Sequence, residues 1–130
     1  MANPQPRGAQ DKPFRPRRGE IYLVAVNPTV GHEIKKTRPA LVIQNDITNE
    51  YLGTTIVAPI TSTVRAPLSP THVLIVKGAP AGLDATSVAL LEQVRTVDRA
   101  RLVKPIGRLD PKAISQVDEA IAITLGLKHL

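Results

Sequence analysis

RPALVIQ, residues 38–44, is the stretch on which the fold turns. The unbroken apolar run at residues 40–43 predicts a central strand packed on both faces. Pro39 marks the entrance to that strand, where a missing N–H is tolerable. Immediately upstream, GEIYLVAVNP (residues 19–28) alternates Ile21, Leu23 and Ala25 with Tyr22, Val24 and Val26, the pattern of a first strand. Asn27-Pro28 stops it, and the polar loop TVGHEIKKT (29–37) leads into the central strand.

Downstream, residues 45–52 are polar and short, enough for no more than a turn of helix. Gly53 separates them from TTIVAPI (54–60), a second β-branched strand. Pro59 and TSTVRAPLSPT (61–71) read as a loop. Residues 72–76 alternate again, residues 78–82 turn, and residues 87–96 are long enough to cross a whole sheet. A helical turn at 97–102 and a last strand at 103–108 follow. The clearest helix starts after Asp110 as N-cap, with Pro111 in its first turn, and ends before Gly126. Ile114, Val117, Ile121 and Leu125 share one face, a stripe suited to core or dimer contact. Five to seven short strands with Pro- and Gly-marked turns and one C-terminal amphipathic helix describe a mainly β architecture, a small antiparallel barrel or half-barrel with helix cover.

Composition narrows the chemistry. A chain of 130 residues fits one domain with a real core. That core must be aliphatic, because Phe14, Tyr22 and Tyr51 are the only aromatics. The absence of cysteine excludes disulfides, thiolate zinc sites and a cysteine nucleophile, and suits a reducing, cytoplasmic setting. The first residues lack the apolar segment of a signal peptide, and no run approaches the roughly 20 apolar residues of a spanning helix. Of the net charge of +6, residues 1–18 carry +4. Residues 1–17 therefore read as a basic, Pro-rich, disordered tail, and residues 18–130 as the single folded domain.

His32, His72 and His129 lie far apart with no metal-ligand spacing, which speaks against metal catalysis. No P-loop, dinucleotide-binding glycine motif or serine nucleophile elbow is present. Only His32 sits near other candidate residues, and as a lone loop histidine it is more simply a solvated side chain than an acid–base group.

Several motifs in order carry a resemblance: RGEIYLVAVNPTVGHEIKKTRPALVIQND (18–46), IVAPITS (56–62), THVLI (71–75), LLEQVRTVDRARL (90–102) and IGRL (106–109). Together they resemble the MazF/PemK family of toxin ribonucleases over about residues 18–127. The resemblance implies a CcdB/PemK-like, SH3-like barrel with a C-terminal helix, paired as a homodimer whose interface supplies grooves for single-stranded RNA. It also implies metal-independent cleavage without cofactors, in which the RNA's own 2′-hydroxyl leaves a 2′,3′-cyclic phosphate and a 5′-hydroxyl. The implied partner besides RNA is an acidic, partly disordered, MazE-like antitoxin.

Matched motif by motif, the family's catalytic arginine falls on Arg38 and its catalytic threonine on Thr61. A guanidinium offers a planar fork to the scissile phosphate and stabilises charge in a pentacovalent transition state. A threonine hydroxyl supplies a short, uncharged donor to a non-bridging oxygen, although an isolated Thr after a strand is more often a turn former. Glu33, Lys35, Lys36 and Thr37 fall where the family's first loop lines the groove, with Ser62 assisting Thr61. The lysines suit phosphates and Glu33 a base amino group, while a solvated charge cluster is the plainer reading of each alone. Glu92 and Gln93 match a segment that reads base edges, and Arg95 with Asp98 is better explained as local structural pairing. Two departures are Leu23, where many relatives carry Trp, and His32, where a small residue is common. Two other readings fit the same fold: a gyrase poison of the CcdB type, and a non-catalytic RNA- or peptide-binding module.

Overall fold

The computed structural model describes residues 14–25 and 36–130. Seven strands form one curled antiparallel sheet: β1 (Glu20–Ala25), β2 (Thr37–Val42), β3 (Thr54–Thr61), β4 (His72–Ile75), β5 (Ser87–Leu90), β6 (Arg95–Asp98) and β7 (Leu102–Arg108). The spatial order is β4-β5-β3-β2-β1-β7, with β6 also pairing with β3. Two helices complete the chain, α1 (Asp46–Tyr51) and α2 (Pro111–Thr124). The mainly β barrel with a C-terminal helix expected from the sequence is what forms.

β2 lies between β1 and β3, pairing Val24 with Arg38 on one side and Ala40 with Pro59 on the other. Its apolar run is continuous because both faces are covered. Leu41 joins Ile21, Ala58, Ile60 and Leu91 in the main core, against Val117 and Ala120 of α2. Ala40 and Val42 face the other way, into a second cluster with Tyr22, Val24, Val57, Val97 and Leu102. Period-two alternation thus serves two aliphatic cores in one strand.

Two prolines sit deeper in the sheet than their sequence context suggests. Pro39 is the third residue of β2, paired with Leu23, and Pro59 lies inside β3 rather than opening the loop after it. Each tertiary amide lacks a donor, yet the pairing of β2 with β3 starts only at Ala40–Pro59, so Pro39 lies beyond that ladder. Residues 87–96 do not make one strand either. The chain pairs along β3 as β5 (Ile60 with Ala89), turns through a short 3₁₀ segment at Leu91–Gln93, and resumes along the same edge as β6 (Ile56 with Thr96). Leu91 is fully buried in the turn and anchors it in the core.

α2 begins as expected: Asp110 accepts from the Ala113 amide at 2.9 Å, and Pro111 occupies the first turn. Its apolar stripe is shorter than expected. Val117 is buried and Ile114 and Ile121 pack on the core, but Leu125 is exposed, since the helix ends at Thr124. α1 is a six-residue helix, slightly more than the single turn expected, capped by Asn45 accepting from the Thr48 amide at 2.7 Å.

α1 is tied to the sheet by a buried amide cluster. Asn49 Oδ1 accepts from Gln44 Nε2 and from Thr55 Oγ1, both at 2.7 Å, while Asn49 Nδ2 donates to the Gln44 carbonyl at 3.0 Å. The basic arm assigned to residues 1–17 is not wholly outside the fold. Pro16 is buried, Phe14 packs its ring 5.6 Å from that of Tyr22, and Arg15 and Arg17 pair with Glu50 and Asp46.

Candidate functional site

Arg38 reaches the surface because it precedes the buried part of β2, its guanidinium donating to the Thr37 carbonyl at 3.2 Å. Thr61 closes β3 on the neighbouring side of Pro39 and Pro59. Antiparallel pairing of β2 with β3 brings the two together: Arg38, Thr61 and Ser62 line one hollow of about 880 Å³, with Pro39, Pro59 and Leu23 among its walls. Leu23, the departure noted above, is therefore a groove residue rather than core filling.

Thr61 is a turn former as well as a residue of the hollow. Its Oγ1 accepts from the Thr63 amide at 3.1 Å, the bond of a turn former. Accepting that bond leaves the hydroxyl proton available as a donor, fixed in place by the turn.

The opposite wall belongs to segments whose role sequence reasoning missed: Gly82, Leu83, Asp84 and Ala85, and Lys104 and Ile106 of β7. Arg38 and Lys104 outnumber Asp84, so the charged groups lining the hollow favour an anion. Close backbone approach holds this wall. A Cβ on Gly107 would stand 1.9 Å from the Ala81 carbonyl oxygen, and one on Gly82 would meet the Ile106 carbonyl. Only glycine allows the 80–82 segment to lie against β7, where the Arg108 amide donates to Pro80 at 3.0 Å.

Not every expected residue converges. Lys36 is exposed just before β2 and Thr37 opens that strand opposite Ala25, so both adjoin Arg38 along the chain without lining the hollow. Glu33 and Lys35, like His32, lie outside the described residues. Glu92 and Gln93 do not line it either. The 3₁₀ segment presents Glu92 to the start of β4, where Oε1 accepts from Thr71, just before the strand, at 3.0 Å and Oε2 lies 3.1 Å from His72 Nε2. Burial pushes the Glu92 carboxyl up, but bonds from its backbone amide, His72 and Thr71 outweigh it and hold the group below the ordinary carboxylate value.

Arg95 and Asp98 are not a local pair. Asp98 accepts from the Ala100 amide at 2.8 Å to cap the Arg99–Arg101 turn, whereas Arg95 lines a second hollow. That hollow, of about 390 Å³, adjoins the first, sharing Arg38, Pro39 and Pro59, and is lined further by Arg101 and by Val24, Ala25, Ala40, Val57 and Val97. No charge pattern in the sequence joins Arg38 to Arg95, Arg101 and Lys104; only the order of strands does. Among the described residues no cluster of three His, Asp or Glu could hold a metal ion, and no helix is long and apolar enough to cross a membrane.

Residues 17–125 match the family described as PemK-like, MazF-like toxins of type II toxin–antitoxin systems. The endoribonuclease EndoA of Bacillus subtilis is 45% identical over 111 residues, which cover 85% of this chain and 95% of that protein. The endoribonuclease MazF of Staphylococcus saprophyticus is also 45% identical over 111 residues, 85% of this chain and 92% of the relative. Among solved structures, a MazE–MazF complex from Deinococcus radiodurans superimposes with a TM-score of 0.70 at 27% identity, over 88% of this chain and 99% of that one.

Proposed function

The chain belongs to the PemK-like, MazF-like toxin family of type II toxin–antitoxin systems, and from that premise we propose an endoribonuclease toxin whose reaction runs in the hollow shared by Arg38 and Thr61. The observation that carries the reading is that these two residues, on different strands, line one anion-favouring hollow with Ser62 and Lys104. The substrate is single-stranded RNA, in keeping with the endoribonuclease names of the two bacterial relatives.

The nucleophile is the RNA's own 2′-hydroxyl. Its oxygen bonds to the adjacent phosphorus as its proton passes to solvent water, the P–O5′ bond breaks, and the departing oxygen takes up a proton from the Arg38 side or from water, leaving a 2′,3′-cyclic phosphate and a 5′-hydroxyl with no net change in protons. A guanidinium stays protonated far above neutral pH, so Arg38 is unsuited to act as base. It stabilises the equatorial oxygens of the transition state by a bidentate fork and stands ready to donate to the leaving oxygen. Thr61 donates its turn-fixed hydroxyl to a non-bridging oxygen. No step calls on a metal or cofactor.

The D. radiodurans MazE–MazF complex supports a MazE-like antitoxin as partner; we read that partner as acidic, competing for the same basic hollow, and the active form as a cytoplasmic homodimer. A gyrase poison has no use for a phosphate-binding pair such as Arg38 and Thr61, and the cleavage assay separates an enzyme from a silent binding module. Incubation with mixed-sequence single-stranded RNA in excess EDTA, followed by end-group analysis, tests the proposal. Discrete fragments ending in cyclic phosphate are expected from the wild type. Arg38→Ala removes the principal donor and lowers kcat by a hundredfold or more, about 3 kcal/mol in transition-state energy. Intact RNA with the wild type, or unchanged cutting by Arg38→Ala, refutes it.

A further inference from the structure

The smaller hollow is a site in its own right. Its lining brings three guanidinium groups, Arg38, Arg95 and Arg101, onto a floor of Val24, Ala40, Val57 and Val97, with no carboxylate among the described residues that line it. Three like charges over an apolar floor repel one another unless an anion joins them, and arginine's planar fork matches a phosphodiester.

Topology explains the convergence. Arg38 is on β2, with β3 and then β6 to one side and β1 and then β7 to the other. β6 pairs Arg95 with Val57, β1 pairs Val24 with both Arg38 and Leu102, and the Arg99–Arg101 turn joins β6 to β7. The curling sheet therefore carries Arg95 and Arg101 round towards Arg38 from both sides. β2 and β6 are two strand spacings apart, about 10 Å, and the register sets Arg95 level with Val42, about 13 Å along β2 from Arg38, so the long side chains reach the shared hollow from well-separated backbone positions.

We propose that Arg95 and Arg101 form, beside Arg38, a second phosphate subsite that holds an RNA linkage flanking the scissile one, with the attached nucleoside against the Val24–Val57–Val97 floor. The proposal rests on the assignment of the scissile phosphate to Arg38 and Thr61. It assigns the two arginines to substrate positioning, not to the reacting atoms. A second copy of the chain is a poorer occupant, because like charges would face one another. The apolar floor suits the face of a base or ribose, in a protein with few aromatic platforms for stacking.

The test uses the full chain and a short single-stranded oligoribonucleotide containing its cut motif, alongside versions carrying one neutral methylphosphonate on either side of the cut. Arg95→Ala and Arg101→Ala should each raise KM about ten- to hundredfold, the range for one charge-assisted contact. Their kcat should stay within about twofold, since binding is lost equally in ground and transition states. Each should also reduce the salt slope of binding by about 0.7, measured with a 2′-deoxy, uncleavable version. At one flanking linkage the methylphosphonate should weaken binding by wild type as much as the arginine changes do, and add nothing in the double variant. Wild-type cutting with unaltered KM and salt slope in the variants overturns the subsite, even if the variants bind an oligo-glutamate peptide less well. Strictly additive losses at every linkage also overturn it. Failure of the wild type to cut or bind any RNA sinks the reading of Arg38 itself.

Discussion

Replacing Asn49 by alanine should cost this protein more stability than any other polar truncation on α1. The side chain is 1% exposed and accepts two bonds while donating a third. Its removal leaves the fully buried Thr55 hydroxyl and the Gln44 carbonyl without those partners, whereas Gln44 Nε2 keeps a 3.0 Å bond to the Thr54 carbonyl. Two orphaned groups at about 1–3 kcal/mol each give about 2–6 kcal/mol, before any cavity is counted. For a domain of this length each kcal/mol moves the melting point by about 3–5 °C, so Tm should fall by at least about 6 °C. Thr55→Val is the informative partner. It removes the donor together with its need for a bond and nearly preserves shape, leaving Asn49 Oδ1 with Gln44, so it should cost about 1 kcal/mol or less. Reversible thermal and urea melts, with unchanged urea m-values, measure both. A Tm for Asn49→Ala within about 2 °C of wild type, or an equal loss for Thr55→Val, would refute the reasoning from unsatisfied partners.

Three further outcomes follow. Gly107→Ala places a Cβ 1.9 Å from the Ala81 carbonyl oxygen, so it should lower stability by about 2 kcal/mol in urea and depress RNA cleavage; Gly53→Ala, with nothing within 4 Å, should do neither. Glu92 has a folded pKa below its ordinary 4.5, so its contribution is present above about that pH and is lost as pH falls through the folded value. Glu92→Gln should therefore flatten the fall in Tm on the acid side of pH 4.5, and a wild-type-like acid profile would contradict the pairing with His72 and Thr71. Lys36→Ala, next to Arg38, should reduce the single-strand salt slope of RNA binding by about 0.7; an unmoved slope removes Lys36 from the contacts.

Local rules made much of the fold legible. An Asp110–Pro111 start and a helical stripe identify α2, and the run at residues 40–43 reads as a strand covered on both sides. What escaped depends on partners distant in sequence. Nothing near Leu91 announces that residues 87–96 bend, because the bend is imposed by burying Leu91 while both halves stay on β3. Asn49 reads as an ordinary polar helix residue until Gln44 and Thr55 are seen around it. Arg38 and Thr61 were legible as motif residues, and their meeting follows from the pairing of β2 with β3. The same motif logic put Glu92 and Gln93 at the groove, yet the 3₁₀ turn directs Glu92 to His72. Arg95, Arg101 and Lys104 had no local signature, since their approach to Arg38 waits on β6 and β7.

The position of β7 bears on the moment at which this protein becomes dangerous to RNA. β1 is bordered by β2 and by β7, joining Tyr22 to Pro105 across most of the chain, and β7 also supplies Lys104 and Ile106 to the wall facing Arg38. Synthesis proceeds from the N-terminus at about 5–20 residues per second, and pairings between distant segments are slow to form. A growing chain thus carries Arg38 and Thr61 for seconds before the wall opposite them exists, and β1 keeps one edge open until the last strand docks. The barrel closes around its hollow only when β7, the last of the strands in chain order, has been made and has docked beside β1, so strand order holds the nuclease back until then.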